Sequence, residues 1–354
     1  MKTLATITGM LLIIPALWGQ SPEQDPQELV RTAISLMDGG DPDQALEYLA
    51  RAKELRPNDL LIDYETAFAY QIKKDHKKVI KITKKLIKQG YPDPKVYQML
   101  GNNYDFAGMP EKAIKTYEAG IKKHPNAGNL YLERGNMDYA RENYNQALDF
   151  YLEGIEQDPL YPSCYRSSAI LIMAGAEKEL WGLIYGEVFQ NLEVDSRRAD
   201  YISEVMYKVM QGEITFEETD STTNIHVGLT GKIVLNLEDM LNGEEFKLPF
   251  EAVFEIELMK AMITSNRIDL ESLYQIREQF IQIWAEAGHL DEYDIPLFRY
   301  QYEIFKAGHF EAYNYYIFRG GDPEGFDQWL LAHKDEFRAF AEYYEEHTIH
   351  HFLK

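Results

Sequence analysis

Three histidines, His347, His350 and His351, stand together near the end of this 354-residue chain, in the segment EEHTIHHFLK. Histidines four apart on a helix share one face, and the His347/His351 spacing can chelate zinc or nickel. The motif supplies no fixed third ligand and chain ends fray, so no metal site is expected there. The adjacent carboxylates Glu217/Glu218 and Glu244/Glu245 have the residue types for acid–base work. Neighbours in a strand point to opposite faces, however, and acidic surroundings make both pairs solvating groups. The one cysteine, Cys164, excludes an intramolecular disulfide and any multi-thiolate metal site. It sits inside a helical segment rather than where a thiol pKa is lowered, so a small buried hydrophobe is expected. The phosphate loop, the G-x-S-x-G elbow, the H-E-x-x-H zinc helix and the G-x-G-x-x-G fingerprint are all missing from the sequence. No catalytic residue, cofactor or metal is therefore expected, and the chain reads as a non-enzyme.

The elements around Cys164 announce themselves by a repeat. Ala33, Ala67, Gly101, Gly135 and Ala169 follow one another at intervals of 34. Ala45, Val79, Ala113, Ala147 and Trp181 keep the same interval, as do Leu49, Thr83, Tyr117, Tyr151 and Tyr185. Pro57, Pro125 and Pro159 close three of the units in register. In the third unit Tyr97, Leu100, Gly101 and Tyr104 form one helical stripe, and Ala113, Tyr117 and Gly120 form the inner face of a second helix. Proline then ends the unit because it cannot continue a helix. The spacing predicts stacked pairs of antiparallel helices and an all-α fold.

These residues resemble the tetratricopeptide repeat (TPR) family, whose pattern runs W-x2-L-G-x2-Y, then Ala, an aromatic and Pro. The likeness is strong in units three and four (94–161) and good in unit one (26–59). Unit two (60–93) has Thr83 for the aromatic and Tyr91 for the proline, and unit five (162–195) has Trp181 at the small position. The resemblance implies a TPR-like right-handed α-solenoid whose concave groove binds a peptide or protein partner. Carried over by position, the groove face holds Tyr64, Phe68, Gln71, Gln98, Asn102, Asp105, Leu132, Asn136, Tyr139 and Arg166. Val30, Ile34 and Met37 lie at one end of it, Ile170 and Met173 at the other. The asparagine amides can hold an extended peptide backbone. Equally, Asn after Gly is the family's consensus residue. A lysine clamp on a C-terminal carboxylate is not implied, since Tyr64, Gln98 and Leu132 occupy the lysine position.

Unit two also carries the basic run KKDHKKVIKITKKLIK, eight lysines with Asp75 alone against them. Val79, Ile82 and Leu86 form its inward stripe, leaving Lys74, Lys77, Lys78, Lys81, Lys85 and Lys88 outward. That arrangement is either a solvated helix face or a site for an anionic partner: an acidic protein, a polysaccharide or the chain's own acidic half.

After residue 195 the register is lost. One helix is expected over Asp195–Met210, then an irregular or β-containing insert over 211–247. Helices are expected again near 249–265, 269–287, 294–307, 309–318 and 323–347. This half is rich in aromatic residues, which either pack helix on helix or stack on a sugar or small ligand. The formal net charge of the chain is −22. Residues 1–194 carry 22 basic and 27 acidic side chains, a net of −5, and residues 195–354 carry 14 against 31, a net of −17. That balance argues against nucleic acid as a partner. Residues 1–20, MKTLATITGMLLIIPALWGQ, have the layout of a signal peptide: Lys2, an apolar run from Ile7 to Trp18, then small Gly19. No other run is apolar enough to span a bilayer, and the sequence has no N-x-S/T sequon. The expected organisation is a signal peptide (1–20), a TPR-like domain (21–194) and an acidic helical domain (195–354) in an exported, soluble bacterial protein, periplasmic or secreted. The expected work is that of a protein-interaction adaptor in the cell envelope, the alternative being ligand or glycan binding by the aromatic-rich C-terminal domain.

Overall fold

In the computed structural model, residues 25–175, 179–218, 223–231 and 248–353 are described. The proposed signal peptide and the Glu244/Glu245 pair lie outside them. The chain divides into two compact units, Met1–Ala113 and Ile114–Lys354.

The first unit is built from α1 (Pro26–Asp38), α2 (Pro42–Leu55), α3 (Leu60–Ile72), α4 (His76–Lys88) and α5 (Lys95–Phe106), and α6 (Pro110–Lys123) begins in it. The helix starts follow the 34-residue register. Asp25 and Asp59 cap the first helix of their hairpins by accepting from Gln27 N and Leu61 N, each at 3.0 Å. Asp41 and Asp75 cap the second helices in the same way, from Gln44 N at 3.0 Å and Lys78 N at 3.1 Å. Each such cap is worth about 1 kcal/mol. The turn inside each of the first four hairpins holds a left-handed residue. Gly40 (φ 82) and Gly108 (φ 71) supply it in units one and three, Lys74 (φ 58) and Glu142 (φ 62) in units two and four. A side chain in that conformation costs about 1–2 kcal/mol relative to glycine.

The small residues of the repeat are buried as the register requires: Ala33, Ala67, Ala45 and Val79 have no exposed surface. Thr83 also is fully buried, its hydroxyl bonded to Val79 O at 2.8 Å, which satisfies a polar group where units three and four bury a tyrosine ring. Val30 and Met37, placed on the groove face by position, are instead buried with Ile62 and Ala69 in the core of the first unit.

The second unit continues with α7 (Gly128–Tyr139), α8 (Tyr144–Gln157), α9 (Pro162–Met173) and α10 (Glu179–Leu192). Gly135 is obligatory, since a Cβ there would lie 2.5 Å from the Tyr151 ring. α11 (Arg197–Glu213) follows, capped by Ser196, and runs directly into the antiparallel pair β1 (Ile214–Glu218) and β2 (Thr223–Val227). The remaining helices are α12 (Phe250–Ala261), α13 (Leu270–Glu286), the single turn α14 (His289–Glu292), α15 (Pro296–Lys306), α16 (Phe310–Phe318), α17 (Pro323–Ala332) and α18 (Lys334–Glu346).

One hydrophobic core runs from Tyr165 of α9 to Leu353. α10 is buried on nearly every side within it. Trp181 breaks the small-residue rule because a new partner faces it. Its ring lies 5.3 Å from Phe250, and its indole N–H donates to Glu251 at 3.1 Å. The dense aromatics pack on one another: Phe254, Phe280, Trp284 and Phe298 form one group, Tyr313, Tyr316, Phe340 and Tyr344 another.

Two local expectations are corrected here. The single helix over 323–347 is broken at His333, whose backbone leaves the helical region while its ring stacks on Trp329 at 4.8 Å. The break lets Phe326 and Phe337 meet edge to face at 5.9 Å. Likewise α18 ends at Glu346, where His347 stacks on Tyr343 and its Nδ1 pairs with Tyr343 O at 2.9 Å. His351 lies in a separate 3-10 turn (Ile349–His351), so the two histidines share no helix face.

Candidate partner-binding groove

In the first unit the side chains predicted for the groove converge. Tyr64 and Phe68 from α3 and Gln98 and Asn102 from α5 line one open groove, together with Glu65, Gln71, Lys95 and Met99. The i, i+4 spacing of Tyr64/Phe68 and Gln98/Asn102 puts each pair on one helix face. The groove therefore alternates aromatic and thioether surface with amides. That combination suits an extended peptide, whose backbone needs donors and acceptors while its side chains need apolar contact.

The walls are fixed from behind. Tyr91, standing where other units have proline, stacks on Tyr64 at 5.2 Å with rings 11° from parallel. Asn103 is fully buried and donates to Gln71 Oε1 at 3.0 Å and to Met99 O at 2.8 Å, while its Oδ1 pairs with His76 Nδ1 at 2.8 Å. This buried amide orients Gln71. Burial, and next the charge of Asp93, push the Tyr64 hydroxyl well above the usual tyrosine range. Burial and then Asp38 raise the Glu65 carboxyl. Asp105 is exposed and does not line the groove. Glu65, Lys95 and Met99 were not singled out by the sequence reading. The i, i+4 steps from Lys95 to Met99, and the adjacency of Glu65 to Tyr64, are the signals that could have placed them.

In the second unit the predicted residues do not form a single site. Asn136 accepts from Tyr151 of its own hairpin at 2.9 Å and donates to Glu133 at 3.3 Å, so its amide serves the repeat itself. Leu132 is half-buried on the same helix. Tyr139 sits at the hairpin turn, edge-on to Tyr144 at 5.4 Å, and with Leu148, Leu171 and Ile172 lines a separate surface cleft. Arg166 is half-buried, and burial, then the charge of Arg198, lower its pKa. Ile170 and Met173 pack against the core.

The basic face also divides. Lys78 pairs with Asp75 at 3.3 Å and lies 4.2 Å from the Tyr70 ring centre, and Lys85 pairs with Asp63 at 3.1 Å. Lys77, Lys81 and Lys88 are exposed, and Lys74 stands in the turn before α4. In the C-terminal part of the second unit, Glu187 and Arg277 form a buried pair at 2.6 and 2.7 Å. Gln301 and Tyr313 donate to the same carboxylate, each at 2.7 Å. The adjoining apolar cavity holds about 60 Å³, well short of the roughly 150 Å³ that accepts a benzene. Among the described residues no group of three or more His, Cys, Asp or Glu side chains could hold a metal, and no helix is long and apolar enough to cross a membrane.

Helical hairpins in a fixed 34-residue register, with a groove walled by their first helices, define a helical-repeat interaction protein. Sequence profiles of the tetratricopeptide repeat match residues 29–59 and 99–162, and the chain carries tetratricopeptide repeats over those residues. Such repeats are protein-interaction scaffolds, and that is the class of work this fold supports. Mouse "Tetratricopeptide repeat protein 21B" is 27% identical over 134 residues, 38% of this chain and 10% of that protein, so the match spans about a tenth of the relative's length. Among solved structures, a thermophilic TPR protein of Thermus thermophilus, TTC0263, is 17% identical, with 51% of this chain and 98% of that one covered at a TM-score of 0.42. Pseudomonas aeruginosa pilF is 16% identical, with 52% and 84% covered at a TM-score of 0.44.

Proposed function

We propose that this protein is a non-enzymatic adaptor, exported to the bacterial cell envelope, that binds an extended segment of a partner protein in the groove between α3 and α5. The observation that carries the reading is the convergence of Tyr64, Phe68, Gln98 and Asn102 on one open surface, with Gln71 held in place by buried Asn103. Export rests on the composition of residues 1–20. The ligand- or glycan-binding alternative has less support, because the aromatic side chains it needs are spent on one another and the neighbouring cavity is too small for a sugar.

The test is a double substitution, Gln98→Ala with Asn102→Ala, in the full chain. It removes two groove amides and leaves the buried repeat positions alone. The expected result is at least a tenfold loss of partner binding in a quantitative pull-down, with the helical circular dichroism unchanged. Full binding by the double variant overturns the groove assignment.

A further inference from the structure

The lysines of α4 are arranged, and the arrangement makes a second surface distinct from the groove. Lys77, Lys81, Lys84 and Lys88 follow one another at steps of four, three and four, which keeps them in a single stripe along the helix. Lys74 continues the stripe by one further step of three. None of these five makes an ion pair among the described residues, whereas Lys73, Lys78 and Lys85 on the flanks are paired with Asp43, Asp75 and Asp63. The stripe borders a cleft lined by Lys73, Lys74, Lys77, Lys84 and Lys112. Its floor is apolar and aromatic: Ile80, Met109 and the Tyr104 ring, with Lys112 Nζ 5.6 Å from the ring centre. Asp75 is the one carboxylate lining it, and that group is engaged by Lys78 N at the start of α4.

Lys74 has a backbone conformation set by its turn. It occupies the left-handed turn position that units one and three give to glycine. Glu142 takes the same conformation in unit four, so the position tolerates a charged residue while gaining no stability from it.

We infer that this cleft is a docking site for a short acidic segment of a protein, one that carries an aromatic or aliphatic side chain for the Tyr104–Ile80–Met109 floor. Three features choose that partner over other anions. The cleft's lysines are interleaved with Ile80, Met109 and Tyr104, an apolar lining that suits a peptide side chain and not a lipid headgroup. Its cationic side chains are lysines, point charges on mobile stems; arginine forks, which recognise phosphate bidentately, are missing from its lining. A net charge of −22 on the chain repels a long nucleic acid or polysaccharide, whereas a short segment interacts only within about 8–10 Å.

The site stands apart from the groove reading, and the test keeps the two apart. A fluorescein-labelled glutamate-rich peptide containing one leucine and one phenylalanine is titrated into the full chain and followed by anisotropy. Binding is expected at low salt and weakens steeply as salt is raised. Lys74→Ala, Lys77→Ala and Lys84→Ala combined are expected to lower the affinity at least tenfold. Lys122→Ala with Lys123→Ala, and Gln98→Ala with Asn102→Ala, leave it unchanged. Replacing the leucine and phenylalanine of the peptide by glutamine weakens binding severalfold. Lys74→Gly raises the melting temperature and still weakens binding, which separates the site from any role in folding. Equal loss from the Lys122/Lys123 variant overturns the proposal, as does tighter, lysine-dependent binding of a heparin fragment or of phosphatidylglycerol vesicles.

Discussion

Cys164 is the small buried side chain that its place inside a repeat helix leads one to expect. Its sulfur would meet a Cβ added at Gly154 at 2.6 Å, and it is fully buried. Burial pushes the thiol up to about 12. The folded protein should therefore resist iodoacetamide at pH 8 and react fully in denaturant, as measured by mass spectrometry; fast labelling of the native chain contradicts this. Gly154→Ala should cost about 1–3 kcal/mol through overpacking, and Cys164→Ala in the same chain should recover part of it. Urea denaturation of the two single variants and the double variant checks the coupling. Glu65 makes a prediction about pH. Its folded-state pKa is raised by burial above the ordinary 4.5, so the native state holds its proton more tightly than the unfolded one. Stability from this group is present below the unfolded value and is lost as pH rises through the raised folded value. Glu65→Gln should thus raise the melting temperature at pH 7 and leave it unchanged at pH 3.5. A shift of equal size at both values sinks the assignment.

At the scale of the element, the repeat was legible and the C-terminal helices only partly so. Ala33, Ala67, Gly101 and Gly135 are read directly because each touches its own hairpin, so the constraint recurs at a fixed interval. The groove was half legible for the same reason: helix faces place Tyr64, Phe68, Gln98 and Asn102. No local pattern says that the Asn136 amide is bonded to Tyr151 or that Val30 and Met37 turn inward. The Glu187–Arg277 pair was invisible, since its partners are 90 residues apart and Gln301 and Tyr313 lie 114 and 126 away. Both side chains are nearly buried, at 6% and 11% exposure. Arg277→Leu leaves Glu187 buried and uncompensated and should cost about 3–5 kcal/mol. The Glu187→Leu/Arg277→Leu double variant should cost less than that. A single-variant loss below about 1 kcal/mol, measured by urea denaturation, means the pair does not order this core.

For the whole molecule, the charge is unevenly shared. The first 194 residues are close to balance, and the excess of −17 lies after them. A basic cleft and a neutral amide groove thus sit in the repeat part, while the acidic part favours solubility and rejection of wrong partners. A partner segment lying in the groove of the first unit would run past Gln98 and Asn102. The most direct measurement places a benzoylphenylalanine photocrosslinker at Gln98 or Asn102, and at exposed Asp335 as a control, in the full chain expressed in its native cell. Both groove positions are expected to capture the same partner polypeptide through one short segment, identified by mass spectrometry, and Asp335 is not. Capture of that partner equally from Asp335, or no crosslink from either groove position, contradicts the groove assignment.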